Sequence, residues 1–250
     1  MPHRPQDKNS EQPMSTTKIG IIGSGNIGQA IARLAVAAGA TVAIANSRGT
    51  ASLADVVEEL GDNAHAATVA EAAEYGDIVV LAIPLSAYSD LPTQVLANKT
   101  VLSTGNYYPS RDGRIEVLDS LKSTTAQLEA SLLPGARITK AFNNIVAHHI
   151  PLLVNSAPRT ALPIYGDDLA AKTEVLELVQ ALGFDTVNAG TLADSWRAEP
   201  ESGGYTHVYA QDPANFYSAH LADRGQPVTI AQLEEALATA HRADVAARQF

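Results

Sequence analysis

The chain of 250 residues contains no cysteine. Disulfides, thiolate nucleophiles and cysteine-ligated zinc or iron–sulfur centres are therefore excluded, and nothing in the chain needs an oxidising compartment. Basic charge is scarce: 17 Lys and Arg face 27 Asp and Glu, a net charge of −10. Such a chain has no general electrostatic pull toward nucleic acid or anionic lipid. Long apolar runs are missing too. None approaches the ~20 residues of a membrane span. The segment Met1 to Met14 is polar and proline-containing, without the apolar core of a secretory signal. We read residues 1–17 as a disordered tail, and expect a cytoplasmic protein with neither a membrane nor a nucleic-acid partner. Aromatic residues are only 5% of the chain, which makes any local cluster of them informative.

What is present is 46% hydrophobic residues, enough for a sizeable core. Lys18 to Gly23 is a short apolar run ending in glycine, the pattern of a buried strand. Asn26 to Ala38 is helical in composition, with Ile27, Ile31, Leu34 and Ala38 on one face, and Gly39 stands where a helix-ending glycine belongs. Thr41 to Ala45 predicts a second strand, and Ser52 to Leu60 a second helix. Thr68 and Glu71 have capping-box spacing. Asp77 to Ile83 is the strongest buried strand, Thr100 to Ser103 another and Arg137 to Ala141 a further one. Leu162 to Tyr165, a helix from Asp168 to Leu182, and Phe184 to Val187 continue the alternation. The whole predicts a doubly wound, Rossmann-type, mainly parallel α/β sheet over residues 18–197. Residues 198–250 read as a C-terminal arm and an amphipathic helix, opened by Thr229 and Gln232 and running to about Gln249. This arm covers either an acceptor site or a homodimer or higher homo-oligomer contact.

The segment Gly23-Ser24-Gly25-Asn26-Ile27-Gly28 is a G-x-G-x-x-G loop between a strand and a helix, the context that makes the motif informative. Its glycines permit a tight turn, close approach of a pyrophosphate and close helix packing, with the phosphates at a helix N-terminus. At the end of the second strand, where an NAD site carries an acidic residue for the ribose 2′-hydroxyl, stand Asn46, Ser47 and Arg48. Ser47 can donate a hydrogen bond and Arg48 can pair with a 2′-phosphate, so NADP(H) is favoured. Ala82, Ile83 and Pro84 follow the next strand, and Thr104, Gly105 and Asn106 the one after. Both segments belong at the ligand rim of an open α/β sheet.

These motifs occur in a definite order: Gly-Ser-Gly-Asn-Ile-Gly, Ala-Asn-Ser-Arg, Leu-Ala-Ile-Pro, Gly-Asn-Tyr-Tyr-Pro, Lys-Ala-Phe-Asn-Asn and Asn-Ala-Gly-Thr-Leu. Over about residues 18 to 197 the set resembles the NADPH-dependent coenzyme F-420 reductase family, whose fold is shared by the reductase domains of STEAP metalloreductases. The resemblance implies direct hydride transfer between NADP(H) and a flat deazaflavin (F-420) or flavin-like acceptor. It also implies that Ser47 and Arg48 hold the 2′-phosphate and Gly23 to Ile27 the pyrophosphate. Two departures fall near the acceptor. Leu85 stands where family members often carry an aromatic residue, and the chain from Ser195-Trp196-Arg197 onward differs from archaeal members.

Candidates for catalysis are Tyr107, Asn143 and His148; candidates for the acceptor are Tyr108, Asn144, Trp196 and Arg197. A tyrosine at the rim can protonate a reduced carbonyl or imine, or simply wall the pocket. Asn143 and Asn144 open a short expected helix, where they bind a ligand or act as caps. His148 and His149 are neighbours pointing about 100° apart on a helix, without a supporting set of ligands, so no metal is expected. Trp196 and Arg197 stack on a flat anionic ring or anchor the arm. Tyr205, Tyr209, Phe216 and Tyr217 suggest either a partner surface or a cover for the chain's own core. Three functions remain open: reduction of a deazaflavin or flavin, reduction of a small carbonyl or imine, and non-catalytic NADP(H) sensing.

Overall fold

The apolar run at Lys18 becomes β1 (Lys18–Ile22), the strand from which the sheet is built outward. The computed structural model describes residues 17–250, apart from the side chains of Tyr217 and Ala219. The tail expected over 1–17 lies outside the described residues except for Thr17. β1 pairs in parallel with β2 (Thr41–Ala45) on one side and with β4 (Ile78–Leu81) on the other. β3 (Ala64–Ala66) extends the sheet beyond β2. β5 (Thr100–Ser103), β6 (Arg137–Lys140), β7 (Ala161–Gly166) and β8 (Asp185–Gly190) follow on the far side, in the order β3-β2-β1-β4-β5-β6-β7-β8. The sheet is doubly wound and mainly parallel.

Period-two alternation divides the core between two layers. Ile19, Ile21, Val42, Ile44 and Val80 face one set of helices. Ile22, Ala43, Ala45, Val79 and Leu81 face the other. Helix α1 (Asn26–Ala37) ends where Gly39 takes φ +91°. Helix α2 (Ala54–Leu60) begins later than Ser52, because Ser52 spends its hydroxyl on Gly49 O and Asn46 in a preceding 3-10 turn. Helix α3 (Val69–Tyr75) carries the expected box, with Thr68 and Glu71 each accepting from the other's backbone N–H.

Four expectations are corrected. The short strand β3 carries no apolar run that would have marked it. β6 and β7 pair antiparallel, because the connection between them holds only a 3-10 turn and the helix Ile150–Leu153, with Pro151 and Pro158. Without a crossover helix the chain stays at the carboxyl rim of the sheet and re-enters reversed. Asn143 and Asn144 consequently open no helix; they lie in irregular chain along that rim. The last helix, Ile230–Ala238, stops well short of Gln249. The chain turns there to follow its own surface, burying Val245 and Arg248.

The arm folds onto its own chain. Leu233 and Leu237 are buried as the last helix packs against β7 and β8. The Tyr209 hydroxyl donates to Ala161 O at 3.0 Å and accepts from Asn144 Nδ2 at 3.0 Å. Arg248, also buried, donates to Tyr107 O and Pro200 O and pairs with Glu201.

Candidate functional site

Because strand order reverses between β1 and β4, the carboxyl ends of these strands open a crevice. The loop after β1 fits it only with glycine at two points. Gly23 has φ +112°, and a Cβ there would lie 2.2 Å from Ala82 O. A Cβ on Gly28 would lie 1.9 Å from Gly23 O. A Cβ on Gly25 would meet no atom within 4 Å and would point into open space beside the loop. The first turn of α1 has neither a side-chain cap nor an acidic residue, leaving its backbone N–H groups for an anion.

Asn46 braces the loops that follow β1 and β2. Its Nδ2 donates to Ser24 Oγ at 2.9 Å, and its Oδ1 accepts from Arg48 N at 2.9 Å. Ser47 and Arg48 are thereby presented, exposed, at the rim. The Arg48 guanidinium forms no ion pair among the described residues. Together with Ser24, Val69, Ile83 and Leu91 they line a cavity of about 340 Å³, closed on another side by Asp90. A second cavity, of about 360 Å³, continues from Gly25, Asn26 and Ile27 past Thr104, Gly105 and Asn106 to Phe142 and Asn143. The two share Gly25, Ala82, Ile83 and Pro84. Every residue selected from the sequence for cofactor contact lines one cavity or the other, except Gly28, which packs beneath the loop.

The rim at Gly105 rests on a buried polar cluster. Lys140 Nζ lies 2.9 and 3.0 Å from the two carboxylate oxygens of Glu129, both side chains fully buried. Ser103 Oγ accepts from Gly105 N at 3.0 Å and meets the Tyr88 hydroxyl at 3.2 Å. Burial pushes the Glu129 carboxyl up, against the pull of Lys140. Burial likewise raises the Tyr88 phenol well above its ordinary value, and the neighbouring Glu129 adds to this.

The other selected residues divide. Tyr108 and Asn143 line the second cavity. Asn143 Nδ2 donates to Ala198 O at 2.9 Å, and Asn106 Nδ2 to Asn143 O at 2.7 Å, so this pair of amides ties the rim to the start of the arm. Tyr107 is corrected as a catalytic candidate. Its hydroxyl donates to Asp119 at 3.0 Å and accepts from Ile115 N at 2.9 Å, away from the cavity; burial, then Asp119, raises its phenol. His148 is corrected as well, because it lines neither cavity; its ring nitrogen lies 3.0 Å from Asp223 O, and it faces a groove beside α1 that adjoins the second cavity at Asn26 and Ala147. Asn144 is fully buried and bonds Gly204 O and Tyr209, holding the arm. Trp196 and Arg197 stack on one another, and Arg197 donates to Leu237 O. They anchor the arm on the side where Tyr107 lies.

Of the residues lining the second cavity that escaped selection, Tyr205 and Arg111 bear on its chemistry. Tyr205 reaches it from the arm, and its hydroxyl is hydrogen-bonded to that of Tyr108, 2.5 Å away. Its one sequence signal was membership of an aromatic cluster in an aromatic-poor chain. Arg111 lies over the Tyr108 ring at 4.8 Å and donates to Asn106 O, with no sequence signal at all. Among the described residues no group of His, Asp and Glu can hold a metal ion, and no helix is long and apolar enough to cross a membrane.

Comparison with known proteins bears on this site. Residues 18–107 match the family model of coenzyme F420-dependent NADP oxidoreductases. The rat metalloreductase STEAP3 is 30% identical over 192 residues, 76% of this chain, which spans 37% of the length of that relative. A hypothetical protein of Sinorhizobium meliloti of known structure is 34% identical and superimposes with a TM-score of 0.64, over 72% of this chain and 88% of its own. A candidate F420-dependent NADP reductase from Arthrobacter shares the fold at 22% identity and TM-score 0.60, over 72% of this chain and 87% of its own.

Proposed function

We propose that the chain, whose residues 18–107 match the family model of coenzyme F420-dependent NADP oxidoreductases, binds NADP(H) along the two joined cavities and reduces an acceptor at the far end of the second. The observation that carries the reading is the continuity of the two cavities through Gly25, Ala82, Ile83 and Pro84. One end offers an uncompensated guanidinium, the middle a helix N-terminus without a cap, and the far end a half-enclosed chamber. When bound, NADP(H) supplies or takes a hydride at that chamber.

The chain's own residues bind and orient. Backbone N–H groups from Ser24 to Ile27 take the pyrophosphate. Ser47 and Arg48 take the 2′-phosphate, with Asn46 fixing the loop that carries them. Ile83 and Pro84 press one wall, and Thr104 to Asn106, held from below by Ser103, press the other. Positioning and exclusion of water are the protein's share of a hydride transfer. The acceptor is a flat deazaflavin, coenzyme F-420, or a flavin. A small carbonyl or imine is the second reading, supported by the paired Tyr108 and Tyr205 hydroxyls in the chamber.

The test is loss of NADPH absorbance with purified protein and oxidised F-420, FMN, FAD, a cyclic imine or no acceptor. Rapid oxidation with F-420 alone supports the first reading. Oxidation with the imine alone supports the second, and tight NADPH binding without turnover leaves a sensing role.

A further inference from the structure

Hydride delivery to a polarised double bond is only half of a reduction. The electron pair displaced from the receiving carbon ends on a heteroatom, which must be protonated. The chamber at the end of the second cavity is built for that second half. Its outer wall holds two phenols from distant parts of the chain, Tyr108 from the loop after β5 and Tyr205 from the arm, with their hydroxyls bonded to each other. Both are half-buried, so one hydroxyl can face a ligand while the other meets water. Tyr108 is held on every side. Its N–H donates to Asp112 Oδ2 at 3.0 Å, the Arg111 guanidinium covers one ring face, and Phe250 packs at 6.0 Å. Asp112 is in turn fixed by Arg111 and by Ser86 N. Arg111 covers the Tyr108 ring and Asp112 holds its backbone N–H, both from the one-turn helix that follows Tyr108, and the arm contributes Tyr205.

We propose that Tyr108 is the proton donor of this enzyme, recharged through Tyr205, and that the acceptor is therefore an electrophile of the C=X type with X an oxygen or nitrogen. The proposal rests on the chamber being the place where the hydride is delivered. As the acceptor carbon takes the hydride and forms its C–H bond, the π pair of C=X moves to X. The Tyr108 O–H bond breaks and the X–H bond forms. Tyr205 then passes its proton to the Tyr108 oxygen and regains one from water, so that two electrons and two protons reach the acceptor in all, one proton carried within the hydride. An oxygen or nitrogen X bonded to the receiving carbon is that of a carbonyl or an imine. A deazaflavin takes hydride at a ring carbon bonded to carbon, so its π pair reaches, through the conjugated system, the ring nitrogen that is protonated, and the experiment separates these acceptors.

The experiment compares wild type with Tyr108→Phe, Tyr205→Phe and the control Tyr107→Phe, whose hydroxyl faces Asp119. NADPH affinity by fluorescence titration, binding of oxidised F-420 or of a cyclic imine to the NADP⁺-loaded protein by calorimetry, and turnover across pH are measured for each. Tyr108→Phe is expected to leave NADPH affinity unchanged and to weaken acceptor binding about 2- to 12-fold, the worth of one neutral hydrogen bond. It should lower kcat by about 10²- to 10⁴-fold with loss of the basic limb of the pH profile. Tyr205→Phe should lower kcat less and shift that limb, and Tyr107→Phe should do neither. Turnover and pH profile unchanged in Tyr108→Phe, in a wild type that reduces one of the probes, would overturn the proposal and leave the reductase reading intact. A wild type that binds NADPH and reduces no probe would instead remove the reductase reading, and the proposal with it.

Discussion

Replacing Lys140 by methionine keeps the length and apolar stem of the side chain but deletes the cation that, among the described residues, pairs with Glu129. The two side chains are fully buried, and Nζ sits within 3.0 Å of both carboxylate oxygens. Lys140→Met therefore strands a carboxylate beneath Gly105, among groups that offer it a hydroxyl at best. Removing one partner of a buried pair costs about 3–5 kcal/mol. For a chain of this size each kcal/mol moves the melting temperature by about 2–4 °C, so a fall of roughly 6–20 °C is expected. The pH dependence follows from the carboxyl. Burial already raises Glu129, and loss of Lys140 raises it further, so the folded variant binds more protons than the unfolded chain. Its deficit against wild type is largest at neutral and higher pH and narrows as the pH falls through the raised Glu129 value. Adding Glu129→Leu removes the stranded charge and recovers much of the loss. Thermal melts followed by circular dichroism at about pH 8 and about pH 5 measure all of this. A fall under about 2 °C, well short of the cost of an orphaned charge, or the same deficit at both pH values, would refute the reasoning. So would a double variant no better than the single one.

Three further outcomes test the site and the arm. Arg48→Ala should weaken NADPH binding by about 10- to 150-fold, the worth of a charge-assisted bond, and leave NADH nearly untouched; equal losses in parallel titrations would take Arg48 out of the 2′-phosphate site. Gly28→Ala should abolish NADPH binding and lower stability, since its Cβ would lie 1.9 Å from Gly23 O; a normal titration with a normal melt would show that the loop yields more easily than its geometry implies. His149 is buried against Asp223, at 3.1 Å from Oδ1, and burial holds its imidazole below the ordinary value. The folded state then binds fewer protons than the unfolded, so this contribution is fully present above about pH 6.5 and is lost as pH falls through the folded value. Amide exchange over residues 211–225 should accelerate below about pH 6, and rates that ignore pH beyond the intrinsic chemistry would sink the idea.

Much of the nucleotide end was legible because its determinants are local. A G-x-G-x-x-G loop between strand and helix is a run of neighbouring residues, and so is Asn46-Ser47-Arg48. The rims at Ile83-Pro84 and Gly105 follow from strand ends that hydrophobic periodicity marks. β3 was missed because three residues of Ala-His-Ala carry no periodicity, and the last helix was drawn too long because a cap opens a helix but does not say where tertiary contacts end it.

The far end of the second cavity was not legible in the same way. Tyr107 and Tyr108 are adjacent and chemically equal, and no sequence rule says which hydroxyl turns toward the cavity; Asp119 and Ile115 claim one, Tyr205 claims the other. Trp196 and His148 had the right chemistry in the wrong place. By itself the sequence determined the doubly wound fold, the G-x-G-x-x-G loop between strand and helix and the absence of an acidic residue at the end of β2, because each depends on residues a few positions apart. Only the tertiary structure decided the reversed strand β7, the buried Lys140–Glu129 pair and the phenols at the far chamber. These join segments from 11 to 97 residues apart, and their contacts come from packing, which local composition does not encode.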